Sequence, residues 1–123
     1  MESSMSVENR QSAQNIVTVA IASGQTTSAA TDLHGYQVVA VRFPAAFTGA
    51  SITFTAGDSF AGTYLTVTEL DDSETDYTLV FTASKQVPVT ANVLVGGQYV
   101  KIVSASSEGA AREIELVVLP LAN

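Results

Sequence analysis

The chain reads as all-β, an antiparallel β-sandwich of jelly-roll-like type behind a polar N-terminal arm. Three observations predict this class. Apolar and polar residues alternate at period two between Ile16 and Leu119, the pattern of half-buried strands. Turn-forming Gly, Pro, Asp and Ser interrupt the alternation about every ten residues, the spacing of sandwiches and barrels. No segment carries a convincing amphipathic helical face. With 123 residues, 46% of them hydrophobic, and no cysteine, the chain is one domain that buries its core without disulfide staples.

Residues 1–14 are polar, contain Glu2, Glu8 and Arg10, and lack a periodic apolar face. They are a frayed terminus or an arm that orders against a neighbouring subunit. The sandwich domain is expected to span residues 15–123. In "NIVTVAIAS", Val17, Val19 and Ile21 share one face and Thr18, Ala20 and Ala22 the other. Gly24 breaks this run, and "QTTSAATDLHG" supplies turn and short-strand residues. "YQVVAVRFP" is a β-branched run that Pro44 ends, because proline cannot donate to a ladder. "ASITFT" points Ile52 and Phe54 inward, and "TYLTVTEL" places Leu65 and Val67 on one face. "DYTLVFTA" follows, then "KQVPV", which Pro88 restricts to an edge or short strand. After a Gly96-Gly97 turn, "GGQYVKIVSA" sets Val100 and Ile102 against Tyr99 and Lys101. The last strand, "REIELVVLP", sets Ile114, Leu116 and Val118 against Glu113 and Glu115. "SAATDL" and "SSEGAAR" have room for a helical turn at most. Eight or nine strands in this length fit two facing sheets; an immunoglobulin-like sandwich is the alternative, without its Cys and Trp landmarks.

Twelve acidic residues against five Lys and Arg give a formal charge of −7. That balance opposes nucleic acid, whose binding needs basic groups on phosphates, and opposes anionic membrane surfaces. The expected partner is a protein or a neutral ligand such as a glycan. The N-terminal stretch has no signal-peptide pattern and no run nears the roughly twenty apolar residues of a membrane span, so synthesis in a cytoplasm is expected.

Chemistry-bearing residues are sparse. His34, the single histidine, has Asp32 two positions away and Ser28 nearby, but a surface turn beside Gly35 accounts for it without catalysis. Glu69, Asp71, Asp72, Glu74 and Asp76 crowd "ELDDSETD". Calcium would want such oxygens, yet the spacing is not that of a calcium loop, and a solvated acidic hairpin explains the same residues. There is no phosphate-binding glycine loop and no GxSxG. With no tryptophan and no evident cluster of exposed aromatics, a sugar platform is not expected. An enzyme, a cofactor and a metal site are all not expected.

Among the aromatics, Phe43 and Phe54 lie within strand runs and belong to the core. Phe47 and Phe60 sit in loops, where a phenylalanine either plugs the end of a sandwich or anchors a partner. With Arg10 of the arm, they are the candidate protein-contact residues.

The stretches "GQTTSAATDLHG", "RFPAAFTGASITFTAG", "GTYLTVTE" and "GGQYVKIVSA" resemble small β-rich head proteins of tailed bacteriophages. The matching elements are Gly24 to Ser28, Asp32 to Gly35, Pro44 to Ser51 and Tyr99 to Ile102, within a resemblance covering roughly residues 20–119. The resemblance implies a jelly-roll-like capsid decoration or cement protein on the exterior of the virion. Such a protein binds the outer surface of the head and bridges major capsid subunits. It implies no catalytic residue, and closed symmetry adds a homo-oligomer, dimer or trimer. The alternative is a carbohydrate- or receptor-binding module of a phage fibre, which Tyr36, Tyr64, Tyr77 or Tyr99 exposed on one patch would favour.

Overall fold

Nine strands, all paired antiparallel, build two sheets in a computed structural model that describes residues 15–70, 74–90, 93–94 and 98–120. They are β1 (Asn15–Ile21), β2 (Thr31–Asp32), β3 (Tyr36–Arg42), β4 (Ser51–Gly57), β5 (Leu65–Thr66), β6 (Thr78–Val80), β7 (Gln86–Pro88), β8 (Tyr99–Ser104) and β9 (Arg112–Pro120). The first sheet has the order β1-β9-β3-β7. The second has the order β2-β8-β4-β5, with β6 also paired to β4. The two sheets pack face to face as a β-sandwich. Pairing is nested along the chain: β1 with β9, β2 with β8, β3 with β7, and β4 with β5 and β6. Arg10 and the rest of the arm, Asp71, Asp72, and the Gly96-Gly97 turn lie outside the described residues.

The core follows the alternation. Val19 and Ile21 of β1, Ile52 and Phe54 of β4, Val100 and Ile102 of β8, and Ile114, Leu116 and Val118 of β9 are all buried. Burying them is the main favourable term holding the two sheets together. β3 departs from strict period two. Its register against β9 shifts between Val38 and Ala40, a β-bulge at Val39, so that Val38 and Val41, three positions apart, both reach the core. The bulged residue keeps its carbonyl occupied, because the Val89 N–H donates to it at 3.0 Å.

β7 is an edge strand, and Pro88 sits in it opposite Ala40, as proline's missing donor requires. "SAATDL" holds the short strand β2, and no helix occurs among the described residues. Leu65 differs from expectation. It pairs with Ala56 from the two-residue edge strand β5 and is 71% exposed, whereas Val67 packs on the core.

One end of the sandwich is closed by aromatic rings. Phe43 and Phe81 stack with centroids 3.5 Å apart and planes 2° from parallel, and Phe47 tilts against both at 5.8 and 5.4 Å. Phe47 is carried there by a turn in which its N–H donates to the Pro44 carbonyl at 3.2 Å.

Candidate functional site: an exposed aromatic patch

β8 alternates, so the residues that flank buried Val100 and Ile102 point outward, and these are Tyr99 and Lys101. The β4–β5 connection passes beside them because Gly57, the last residue of β4, pairs with Tyr99. That connection, "DSFAGT", is held in shape locally. The Gly62 N–H donates to the Ser59 carbonyl at 3.1 Å, and the Tyr64 hydroxyl donates to the Phe60 carbonyl at 2.9 Å. A Cβ on Gly57 would lie 2.9 Å from the Thr63 carbonyl oxygen, so close return of the loop on β4 requires glycine here. The loop thereby presents Phe60 with 65% of its surface exposed.

His34 reaches the same patch from the turn after β2. Asp32 Oδ1 accepts the His34 backbone N–H at 2.9 Å and meets Nδ1 at 2.5 Å. Gly35, at φ 85°, supplies the left-handed residue that completes this turn. The backbone N–H of His34 foremost, with its ring second, holds the Asp32 carboxyl below the usual range. The rings form a chain: His34 to Tyr99 at 5.2 Å and 76°, then Tyr99 to Phe60 at 6.0 Å and 82°, both edge-to-face. Lys101 Nζ lies 4.3 Å from the centroid of Tyr64. Local desolvation, and secondarily Tyr99, raise the Tyr64 hydroxyl above its ordinary pKa.

The result is a ridge of His34, Tyr99, Phe60 and Tyr64 with one carboxylate and one ammonium beside it. Edge-to-face pairs and a cation over a ring are favourable aromatic geometries, and here they hold the side chains against one another. Aromatics held in this way are the residues that dominate binding energy at interfaces. The arrangement suits recognition of a surface.

The sequence-predicted residues separate. Phe60 is exposed in the patch, at the end of the ring chain that runs through Tyr99. Phe47 is 3% exposed inside the Phe43–Phe81 cluster, where it plugs the sandwich end and offers no ring face to a partner. Arg10 lies outside the described residues. His34 and Asp32 do meet, but Ser28 is buried with its hydroxyl donating to the Ala29 carbonyl and accepting the Ile102 N–H at 2.8 Å. The described flanks of the acidic segment pair with each other between β5 and β6: Thr68 bridges Asp76, and the Glu69 N–H donates to the Thr75 carbonyl at 2.8 Å. No group of three or more metal-ligating side chains comes together among the described residues.

Of the four tyrosines, Tyr77 is buried and accepts the Thr90 N–H on its hydroxyl, and Tyr36 packs on the core. Tyr64 and Tyr99 share the patch. The expectation that exposed aromatics form no cluster is therefore corrected. Phe60 and Tyr64 are four residues apart, but Tyr99 joins them only through the β4–β8 register, which no local pattern discloses.

A groove of about 580 Å³ beside the start of β9 is lined by Arg42, Pro44, Arg112, Glu113 and Glu115. Its guanidinium groups are already matched, Arg42 to Glu115 at 3.3 Å and Arg112 to Glu108 at 3.0 Å. Comparison with protein-family models, curated proteins and solved structures finds no match to this chain.

Proposed function

We propose that this protein is a binding module without catalytic chemistry, a virion decoration or cement protein that attaches to the outer surface of a tailed-phage head. The observation that carries the reading is Phe60, exposed on a preorganised aromatic ridge of a rigid sandwich. The nested strand pairing supports a jelly-roll architecture, since a long hairpin rolled on itself pairs first with last and then inward. The sequence resemblance supplies the head context, and the charge of −7 suits a protein surface better than packaged DNA. Bound to the assembled shell in preference to loose major capsid subunits, such a module stabilises the particle by linkage.

The test is co-sedimentation of purified protein with heads that lack it, followed by heat and osmotic challenge. Saturable binding that Phe60→Ala weakens, with greater resistance of the decorated heads, is the expected result. Equal resistance of decorated and bare heads removes the cement role.

A second reading is a carbohydrate- or receptor-binding module of a fibre, favoured by Tyr64 and Tyr99 sharing one patch with Asp32 and His34. Lys101 lies over the Tyr64 ring, which a sugar would need for stacking, so the protein-surface reading leads. Glycan-array binding abolished by Tyr99→Ala would reverse that order.

A further inference from the structure

The first sheet has two edges of opposite character. β7 is three residues long and contains Pro88, both devices that blunt an edge. β1 is seven residues long, NIVTVAI, with no charge, no proline and no bulge in its pairing with β9. Long uncharged edges are templates for further pairing unless something occupies them.

The hydrogen-bond parity of the sheet shows which groups the β1 edge offers. Phe43 N–H donates to Lys85 and Val89 N–H to Val39, so odd residues of β3 face β7 and even ones, Ala40 and Arg42, face β9. Their partners Val117 and Glu115 then turn toward β3, which leaves Leu116 and Val118 turned toward β1, opposite Val17 and Asn15. Ile16, Thr18 and Ala20 therefore direct their backbone groups away from β9. Ala20 confirms it, since its carbonyl accepts the Ala29 N–H at 3.3 Å from outside the sheet. Below that stop, the N–H and C=O groups of Ile16 and Thr18 line an edge that no strand among the described residues covers.

We infer that this edge pairs with the same edge of a second copy, antiparallel about a two-fold axis through Val17. Three features favour a second copy as the occupant. A two-fold through Val17 sets Ile16 against Thr18 of the other copy and the reverse, so the N–H and C=O groups of both residues are matched, giving four hydrogen bonds. Ala29 at Ala20 ends the available edge, which disfavours registers shifted toward the strand's C-terminal end. Two chains of charge −7 repel, and β1 brings no charged residue to the seam. The side-chain rows also continue across it. The inner row Val87, Val41, Leu116 and Val17 would run directly into its own mirror sequence, making one eight-stranded sheet. This pairing uses the opposite sheet from the aromatic patch and is independent of what that patch binds.

Sedimentation velocity of the full chain, from low micromolar to submillimolar concentration, reads the association. Thr18→Pro removes an N–H that has no partner in β9, so the fold survives while two of the four seam bonds are lost. Self-association should weaken on the order of tenfold or more with little change in melting temperature. Val17→Cys is the second variant. A non-hydrogen-bonded antiparallel pair holds its Cα atoms about 4.5 Å apart, within disulfide range. Oxidised Val17→Cys should therefore form a covalent dimer, and Val19→Cys should not. A strict monomer across the series overturns the inference. So does a dimer that Thr18→Pro leaves intact and Val17→Cys fails to cross-link.

Discussion

Glu108 grips Thr48 with both carboxylate oxygens across 60 positions of sequence: Oε1 accepts the Thr48 N–H at 2.9 Å and Oε2 its hydroxyl at 2.9 Å. The same carboxylate accepts the Gly49 N–H at 3.0 Å and the Arg112 Nε–H at 3.0 Å, and the residue is 2% exposed. It ties the β3–β4 loop, the β8–β9 loop and the start of β9 together beside the phenylalanine plug.

Glu108→Ala would leave a guanidinium, two N–H groups and a hydroxyl without this acceptor, and should cost about 3–5 kcal/mol of stability. Glu108→Gln keeps one acceptor oxygen and should cost less. Burial pushes the Glu108 pKa up, but the Thr48 N–H, Arg112, the Thr48 hydroxyl and the Gly49 N–H together hold it below the ordinary 4.5. A depressed folded-state pKa gives stability that is fully present above the unfolded value and is lost as pH falls through the folded one. Melting temperature should thus fall below about pH 4.5, more steeply in the parent than in Glu108→Gln. Parallel pH curves for the two would contradict this role.

Ser28 does for β8 what a neighbouring strand does elsewhere. Its N–H donates to the Ile102 carbonyl at 2.8 Å while its hydroxyl accepts the Ile102 N–H at 2.8 Å. Ser28→Ala leaves a buried N–H without its acceptor and should cost about 1–3 kcal/mol. Amide exchange at Ile102 should accelerate more than at Val100. Unchanged protection of Ile102 would mean that another acceptor takes the bond.

Gly57→Ala tests whether the patch depends on close return of its loop. The added methyl would meet the Thr63 carbonyl oxygen at 2.9 Å and the Tyr64 ring at 3.2 Å, so the loop carrying Phe60 must move. A loss of about 1–3 kcal/mol is expected. Ring chemical shifts of Tyr64 and Tyr99 should move with it, and an unperturbed pair would show that the loop yields elsewhere.

The sandwich was legible because its signal is local. Period-two alternation identifies which of Ile52, Thr53 and Phe54 faces the core without knowledge of any partner strand. Pro88 likewise marked an edge from its own chemistry. What stayed hidden required register. The β3 bulge at Val39 breaks the alternation where the sequence shows only consecutive valines, and the role of Glu108 depends on a loop 60 positions away. Phe47 and Phe60 look alike in sequence, each in a small-residue loop after a strand. One is buried because Phe43 and Phe81 meet beside it, the other exposed because β4 ends there.

That divergence gives the last prediction, a paired one. Phe47→Ala empties a space beside the stacked Phe43 and Phe81 in a closed cluster, and large-to-small changes of this kind cost about 3–5 kcal/mol. Phe60→Ala removes a ring that is mostly in water and pairs edge-to-face with Tyr99. Its stability should change by roughly 0.5 kcal/mol or less. Binding should invert the order. If the aromatic ridge is the interface, Phe60→Ala weakens attachment to heads by at least about tenfold, the scale of a central aromatic anchor. Phe47→Ala, assayed well below its lowered melting temperature, should bind as the parent does. Thermal melts and co-sedimentation on the same two proteins give both readouts. Parent-like attachment by Phe60→Ala would move the interface away from this ridge, and a low-cost Phe47→Ala would show that the plug relaxes around the vacancy.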